Sequence, residues 1–89
     1  MGSTWWVVIE EQGGTGDGRG WSVADAAPYP GRDVAEGEAY LLAKQHRPPR
    51  PWSPQGRTVL RVSDGYLVLV KGKTDVWQFR VTLGEQVGG

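Results

Sequence analysis

The chain has 89 residues, ten acidic and ten basic side chains, one histidine and no cysteine. A chain of this length forms one domain that buries about 60–65% of its unfolded surface, which argues against a second domain or a deep cleft. The lack of cysteine removes disulfides, thiolate metal sites and a cysteine nucleophile, and zero net charge removes any long-range pull toward nucleic acid or anionic lipid.

Thr4-Trp-Trp-Val-Val-Ile-Glu-Glu11 predicts a first strand with Trp5, Val7 and Ile9 on one side and Trp6, Val8 and Glu10 on the other. Both sides are apolar for most of its length, the pattern of a strand inside a sheet or covered on both faces. The apolar run Trp5–Ile9 is far below the roughly 20 residues of a membrane helix and lacks the basic start and cleavage site of a signal peptide. A soluble cytoplasmic protein is the expectation. Residues 12–20 are mostly glycine and read as a flexible loop, leading to a weaker second strand around Trp21-Ser-Val23. Ala26-Ala-Pro-Tyr-Pro-Gly31 then predicts a break in regular structure.

One helix is predicted from Asp33 to about His46. Asp33 is placed to cap its first amides with Glu36 in the capping-box position, and Pro48 and Pro49 stop it beyond Arg47. Ala35, Ala39 and Leu42 recur at helical spacing and predict the buried stripe, flanked by Val34, Glu38 and Leu41, with Tyr40 and Glu36 partly wet. Gly37 costs about 1 kcal/mol relative to alanine, so packing must hold the helix. The segment 47–56, containing Arg47-Pro-Pro-Arg-Pro-Trp-Ser-Pro54, favours an extended polyproline II connector. Trp52 would either pack over a core edge or meet an aromatic groove on a partner.

The last third predicts a meander: Arg57–Val62, Tyr66–Val70 and Val76–Leu83. Asp64-Gly65 supplies the two positive φ angles of a type I′ turn, pairing Val62 with Leu67, Leu60 with Leu69 and Arg61 with Val68. The middle strand is apolar on both faces, so the helix covers one face and the other needs a second layer, a partner or a ligand. In the last strand Trp77, Phe79, Val81 and Leu83 alternate with Gln78, Arg80 and Thr82. Residues 84–89 read as a flexible tail. The whole is an α+β domain, one helix on a four- to five-stranded mainly antiparallel sheet in the order β-(β)-α-β-β-β.

Catalytic and nucleotide motifs fail on inspection. Gly14, Gly16, Gly18 and Gly20 do not fit Gly-x-Gly-x-x-Gly because Arg19 and Trp21 occupy the third-glycine positions. Gly72-Lys73-Thr74 lacks the earlier glycine of a phosphate loop, Leu67 standing there, and is followed by a strand. His46 has no second histidine or cysteine with which to bind a metal, and Ser22, Ser53 and Ser63 stand in no nucleophile motif. No enzyme, metal or cofactor is expected. The acids crowd into the first half, with Glu10, Glu11, Asp17, Asp25, Asp33, Glu36 and Glu38, whereas Lys44, Arg47, Arg50, Arg57, Arg61, Lys71, Lys73 and Arg80 follow. That asymmetry predicts attraction between packed halves or a basic binding face.

The predicted role is a non-catalytic protein-binding or regulatory module, contacting another protein, or a second copy by strand addition, with no membrane partner. Arg50, Trp52, Arg61, Tyr66 and Arg80 are its candidate binding residues. The alternative is single-stranded nucleic-acid binding, with bases stacked on Trp52, Tyr66 and Trp77 and phosphates held by the neighbouring cations. A third reading rests on Gly88-Gly89 and the strand-helix-strand order, which resemble the ubiquitin-like sulfur carriers and modifiers of the β-grasp family. That resemblance implies activation of the Gly89 carboxylate as an acyl-adenylate, although Leu83-Gly-Glu-Gln-Val87 does not match the family closely.

Overall fold

A computed structural model describes residues 3–13 and 20–89 of the chain. Six elements follow in order: β1 Trp5–Gly13, β2 Gly20–Tyr29, α1 Arg32–Gln45, β3 Gly56–Val62, β4 Gly65–Lys71 and β5 Val76–Glu85. The strands make one sheet, β2-β1-β5-β4-β3, in which every neighbouring pair is antiparallel. This is the α+β arrangement the sequence predicts. The alternating directions leave β2 and β3 parallel to each other on opposite edges, so α1 must carry the chain back across one face between them. No helix among the described residues is long and apolar enough to cross a membrane.

The second strand is longer than predicted. It runs through Ala26-Ala27-Pro28-Tyr29 and pairs with β1 from Trp5↔Tyr29 to Gly13↔Gly20. Proline is tolerated there because β2 is an edge strand whose outer amides have no ladder to feed. The register shifts between Ile9↔Asp25 and Glu10↔Val23, so Ala24 is the extra residue of a bulge. Of the expected loop 12–20, Gln12 and Gly13 belong to β1 and Gly20 to β2, while 14–19 lie outside the described residues.

Two features of the helix depart from expectation. Its N-cap is Gly31, which has no side chain to cap with, and the helix begins at Arg32, so Asp33 lies inside the first turn and the predicted capping box does not form. Glu36 instead pairs with Arg32 one turn earlier, Nε to Oε1 3.0 Å. Its buried stripe is Ala35, Ala39 and Ala43, each with no exposed surface, and Leu42 is only half-buried. Alanines four apart bring the helix backbone close to the sheet, so larger residues are pushed to the flanks and Val34 and Leu41 remain exposed. At the other end the His46 amide donates to the Leu42 carbonyl before the prolines.

The helix rests on β5, β4, β1 and β2. Beneath it lie Val7, Ile9, Val68, Val70, Phe79 and Val81, all buried. Trp77 is buried as well, as its alternation with Gln78 predicts. The Arg50–Pro51 peptide bond in the connector is cis. The expected tail is shorter than residues 84–89: Gly84 and Glu85 belong to β5, and the Gln86 amide donates to the Thr4 carbonyl at 2.9 Å.

The β3–β4 register differs from the predicted one by two residues, pairing Val62 with Gly65, Arg61 with Tyr66 and Leu60 with Leu67. Ser63 and Asp64 therefore form the turn, and no non-glycine residue among those described has a positive φ. The predicted type I′ geometry at Asp64-Gly65 is thus replaced. Gly65, with φ 152°, is drawn into the sheet opposite Thr82, and a Cβ on it would overlap the Val81 carbonyl of β5. A close backbone approach fixes the glycine, and a shift by two keeps every side chain on its predicted face. Gly65→Ala is expected to lower stability by more than about 1 kcal/mol. Gly84→Ala, whose Cβ would meet nothing within 4 Å, should be neutral or mildly stabilising; urea unfolding of both variants checks the contrast.

Candidate functional site

Alternation along each strand sorts the sheet into a helix-covered face and a bare one. The bare face carries Trp6, Val8 and Glu10 from β1, Trp21 and Val23 from β2, Leu60 and Val62 from β3, Leu67 and Leu69 from β4, and Gln78, Arg80 and Thr82 from β5. None of these is buried, and Val23 is 62% exposed. At the centre the Arg80 guanidinium donates to both Glu10 oxygens, Nε to Oε1 2.9 Å and Nη2 to Oε2 3.3 Å. Trp21 lies over the same guanidinium, 4.4 Å from its ring centroid. The Glu10 hydrogen bond raises the Arg80 pKa above its ordinary value, burial opposes it, and the charges of Glu10 and Asp64 add to the rise. The face is therefore apolar on two flanks with a self-neutralised pair between them.

A second surface lies on the helix side, where α1 stops short of covering β3. Tyr40 and Lys44, one turn apart, flank a cleft of about 570 Å³ completed by Val59, Arg61 and Tyr66. The Tyr40 and Tyr66 rings lie 5.7 Å apart at 39°, and the Lys44 ammonium sits 4.2 Å from the Tyr40 ring centroid. Arg61 is paired in register with Tyr66. Arg57, next but one along β3 on the same face, donates to the Ala43 carbonyl at 3.0 Å and the His46 carbonyl at 2.8 Å. It thus satisfies two backbone acceptors at the helix end that have no intrahelical donor.

The proline-rich connector forms a third feature. The Arg50 guanidinium lies 5.1 Å from the Trp52 ring and 5.6 Å from the Trp77 ring. Trp52 is 83% exposed, so it does not pack over a core edge. Trp77 is buried and donates its indole N–H to Asp75 Oδ2 at 2.7 Å.

The five residues picked from the sequence are thus divided among three places. Arg61 and Tyr66 meet in the cleft, Arg50 and Trp52 meet at the connector, and Arg80 is on the bare face. The continuous basic aromatic face does not form. Strand alternation separates Arg80 from Tyr66, because its neighbour Val81 is Tyr66's partner. Sequence reasoning missed Tyr40 and Lys44 as members of a site. Their four-residue spacing places them on one helix face, but only the β3–β4 register says which strand side chains they meet.

The single histidine is engaged in the core. His46 Nε2 is 2.7 Å from Glu11 Oε2, and its ring stands edge-on to Phe79 with centroids 5.0 Å apart. No group of three or more histidine, cysteine, aspartate or glutamate side chains among the described residues could hold a metal ion. Near the C-terminus, Gln86 accepts from the Trp6 indole at 2.8 Å and donates to the Gly88 carbonyl at 3.0 Å.

Comparison with protein-family models, curated proteins and solved structures found no match to this chain.

The two arginines of β3 differ in what they do for the fold. Arg57→Ala should cost about 1.5–3 kcal/mol because it leaves two helix-end carbonyls without their charged donor. Arg61→Ala, at an exposed position, should change stability by less than about 0.5 kcal/mol. Chemical denaturation of the two variants checks the difference.

Proposed function

We propose that the chain is a non-catalytic protein-binding module whose bare sheet face receives an apolar, uncharged surface of a partner protein. The observation that carries this reading is a single-layered sheet with Trp6, Val8, Val23, Leu60, Val62, Leu67 and Leu69 on the side away from α1. A sheet normally buries its apolar face against another layer, and here the residues on that face stay half-buried or exposed.

The electrostatics favour a neutral partner. Glu10 and Arg80 already satisfy each other, so an apolar surface laid over them leaves no uncompensated charge, whereas a charged one would have to be desolvated without a counter-ion. Five strands about 4.8 Å apart and about seven residues long present a plan area of about 550 Å². That is of the same order as the roughly 800 Å² one partner contributes to a standard interface. His46 is packed against Phe79 and held by Glu11, which supports a structural rather than a catalytic role for the only histidine.

The test is capture of partners from the native host lysate after nuclease treatment, using the wild-type chain and a Leu60→Asp/Val62→Asp variant. Both sites are 41% exposed, so the variant should fold, as a thermal melt would verify. The expected outcome is a defined protein retained by the wild type at high salt and lost by the folded variant. Retention of the same protein by both chains would overturn the reading, as would capture that disappears with nuclease.

A further inference from the structure

We propose that the cleft between α1 and β3 is a separate site that takes an extended acidic peptide, which adds to the free edge of β3 as another strand. In the sheet order β3 is terminal, so among the described residues one side of its backbone has no ladder partner. Such an edge offers a row of N–H and C=O groups to an incoming chain. The two edges are not equivalent. β2 carries Pro28 and the bulge at Ala24, each of which interrupts an edge, whereas β3 pairs with β4 without interruption from Gly56 to Val62 and contains no proline.

Side chains along the cleft specify the occupant. Arg57, Val59 and Arg61 alternate onto the helix side of β3, with Lys44 facing them from α1 and Arg47 just beyond the helix end. Glu36 borders Arg61 but is already paired with Arg32, and Glu11, at the helix end, is paired with His46. Arg61 has no hydrogen-bond or ion-pair partner among the described residues. Between the cations the floor is apolar, formed by Val59, Tyr40 and Tyr66. A strand laid beside β3 presents every second residue to the cleft, in line with the residues it pairs. The matching pattern is therefore an acid against Arg61 and, two residues along, an apolar residue against Val59. Arg57, whose guanidinium is turned to the Ala43 and His46 carbonyls, adds positive charge at that end without being a direct partner.

The same charges disfavour a second copy of this chain at that edge. A two-fold β3–β3 pairing centred on Val59 would set Arg57 of one copy opposite Arg61 of the other, and like charges directly across a ladder are destabilising. The site lies on the helix side of the sheet, so it stands or fails independently of the bare face.

The test is fluorescence anisotropy of the full chain with a fluorescein-labelled peptide Thr-Glu-Thr-Val-Thr-Glu-Thr. Two isomers of it are compared, N-methylated on alternate residues along one backbone edge or the other. Saturable binding is expected, weakened at least about tenfold by Arg61→Glu, largely preserved by Arg61→Lys, and abolished by methylation of one edge only. A thermal melt of each variant confirms that it is folded. Equal binding of both methylated isomers would reduce the effect to charge attraction and overturn strand addition. Absence of saturable binding would overturn the site outright. Tighter binding of labelled oligodeoxythymidine, weakening steeply between about 50 and 200 mM salt and lost in Arg61→Glu, would replace the acidic peptide with a single-stranded nucleic acid.

Discussion

The ladder between β1 and β5 is what makes this sheet one object. Without it the chain would be a separate β3–β4–β5 meander and a β1–β2 pair that, as two strands alone, would be marginally stable at best. The pairing runs from Trp5↔Glu85 to Glu11↔Phe79 and seats Phe79 in the middle of the covered face, between Val68 of β4 and Glu11 of β1. His46 against its edge and the Arg57 guanidinium 5.6 Å from its ring then tie the helix end to that strand. The C-terminal end of α1 is thus positioned by the residue that also joins the two halves of the sheet.

Both candidate surfaces follow from there being, among the described residues, one helix for five strands. A helix is about 10 Å across, and five strands about 4.8 Å apart are more than twice as wide. The buried alanines draw α1 down over β5, β4 and β1, and β3 is left with side chains that reach toward the helix flank. The cleft is the gap that results. The far face is bare for a plainer reason: the single helix lies on the other side.

Much of the architecture was legible because periodicity of two is a strong signal in β1, β4 and β5, and the prolines and glycines punctuate the chain. What was not legible depended on tertiary context. Pro28 reads as a strand breaker unless its strand is known to be an edge. Asp64-Gly65 reads as a type I′ turn unless the approach of β5 to Gly65 is known. Asp33 reads as a cap unless the helix is known to start at Arg32, which leaves Gly31 in the cap position. The candidate site was only half legible. Arg61 and Tyr66 were chosen and do meet, but Arg80 was grouped with them although strand parity sends it to the opposite face. Tyr40 and Lys44 could be placed on a helix face without any means of knowing what lay across from it.

The central position of β5 also bears on the order in which the chain can fold. As the chain is made from its N-terminus, β1, β2, α1, β3 and β4 are all synthesised before the strand that joins them. Until Val76–Glu85 has emerged, β1 has no partner on its inner edge, and Val7, Ile9 and Val68 lack the strand that completes their layer. Folding must wait for a contact between the two ends of the sequence, and such long-range closure is slow. In that interval the Trp5–Ile9 and Tyr66–Val70 segments, each apolar on both sides, are open to aggregation.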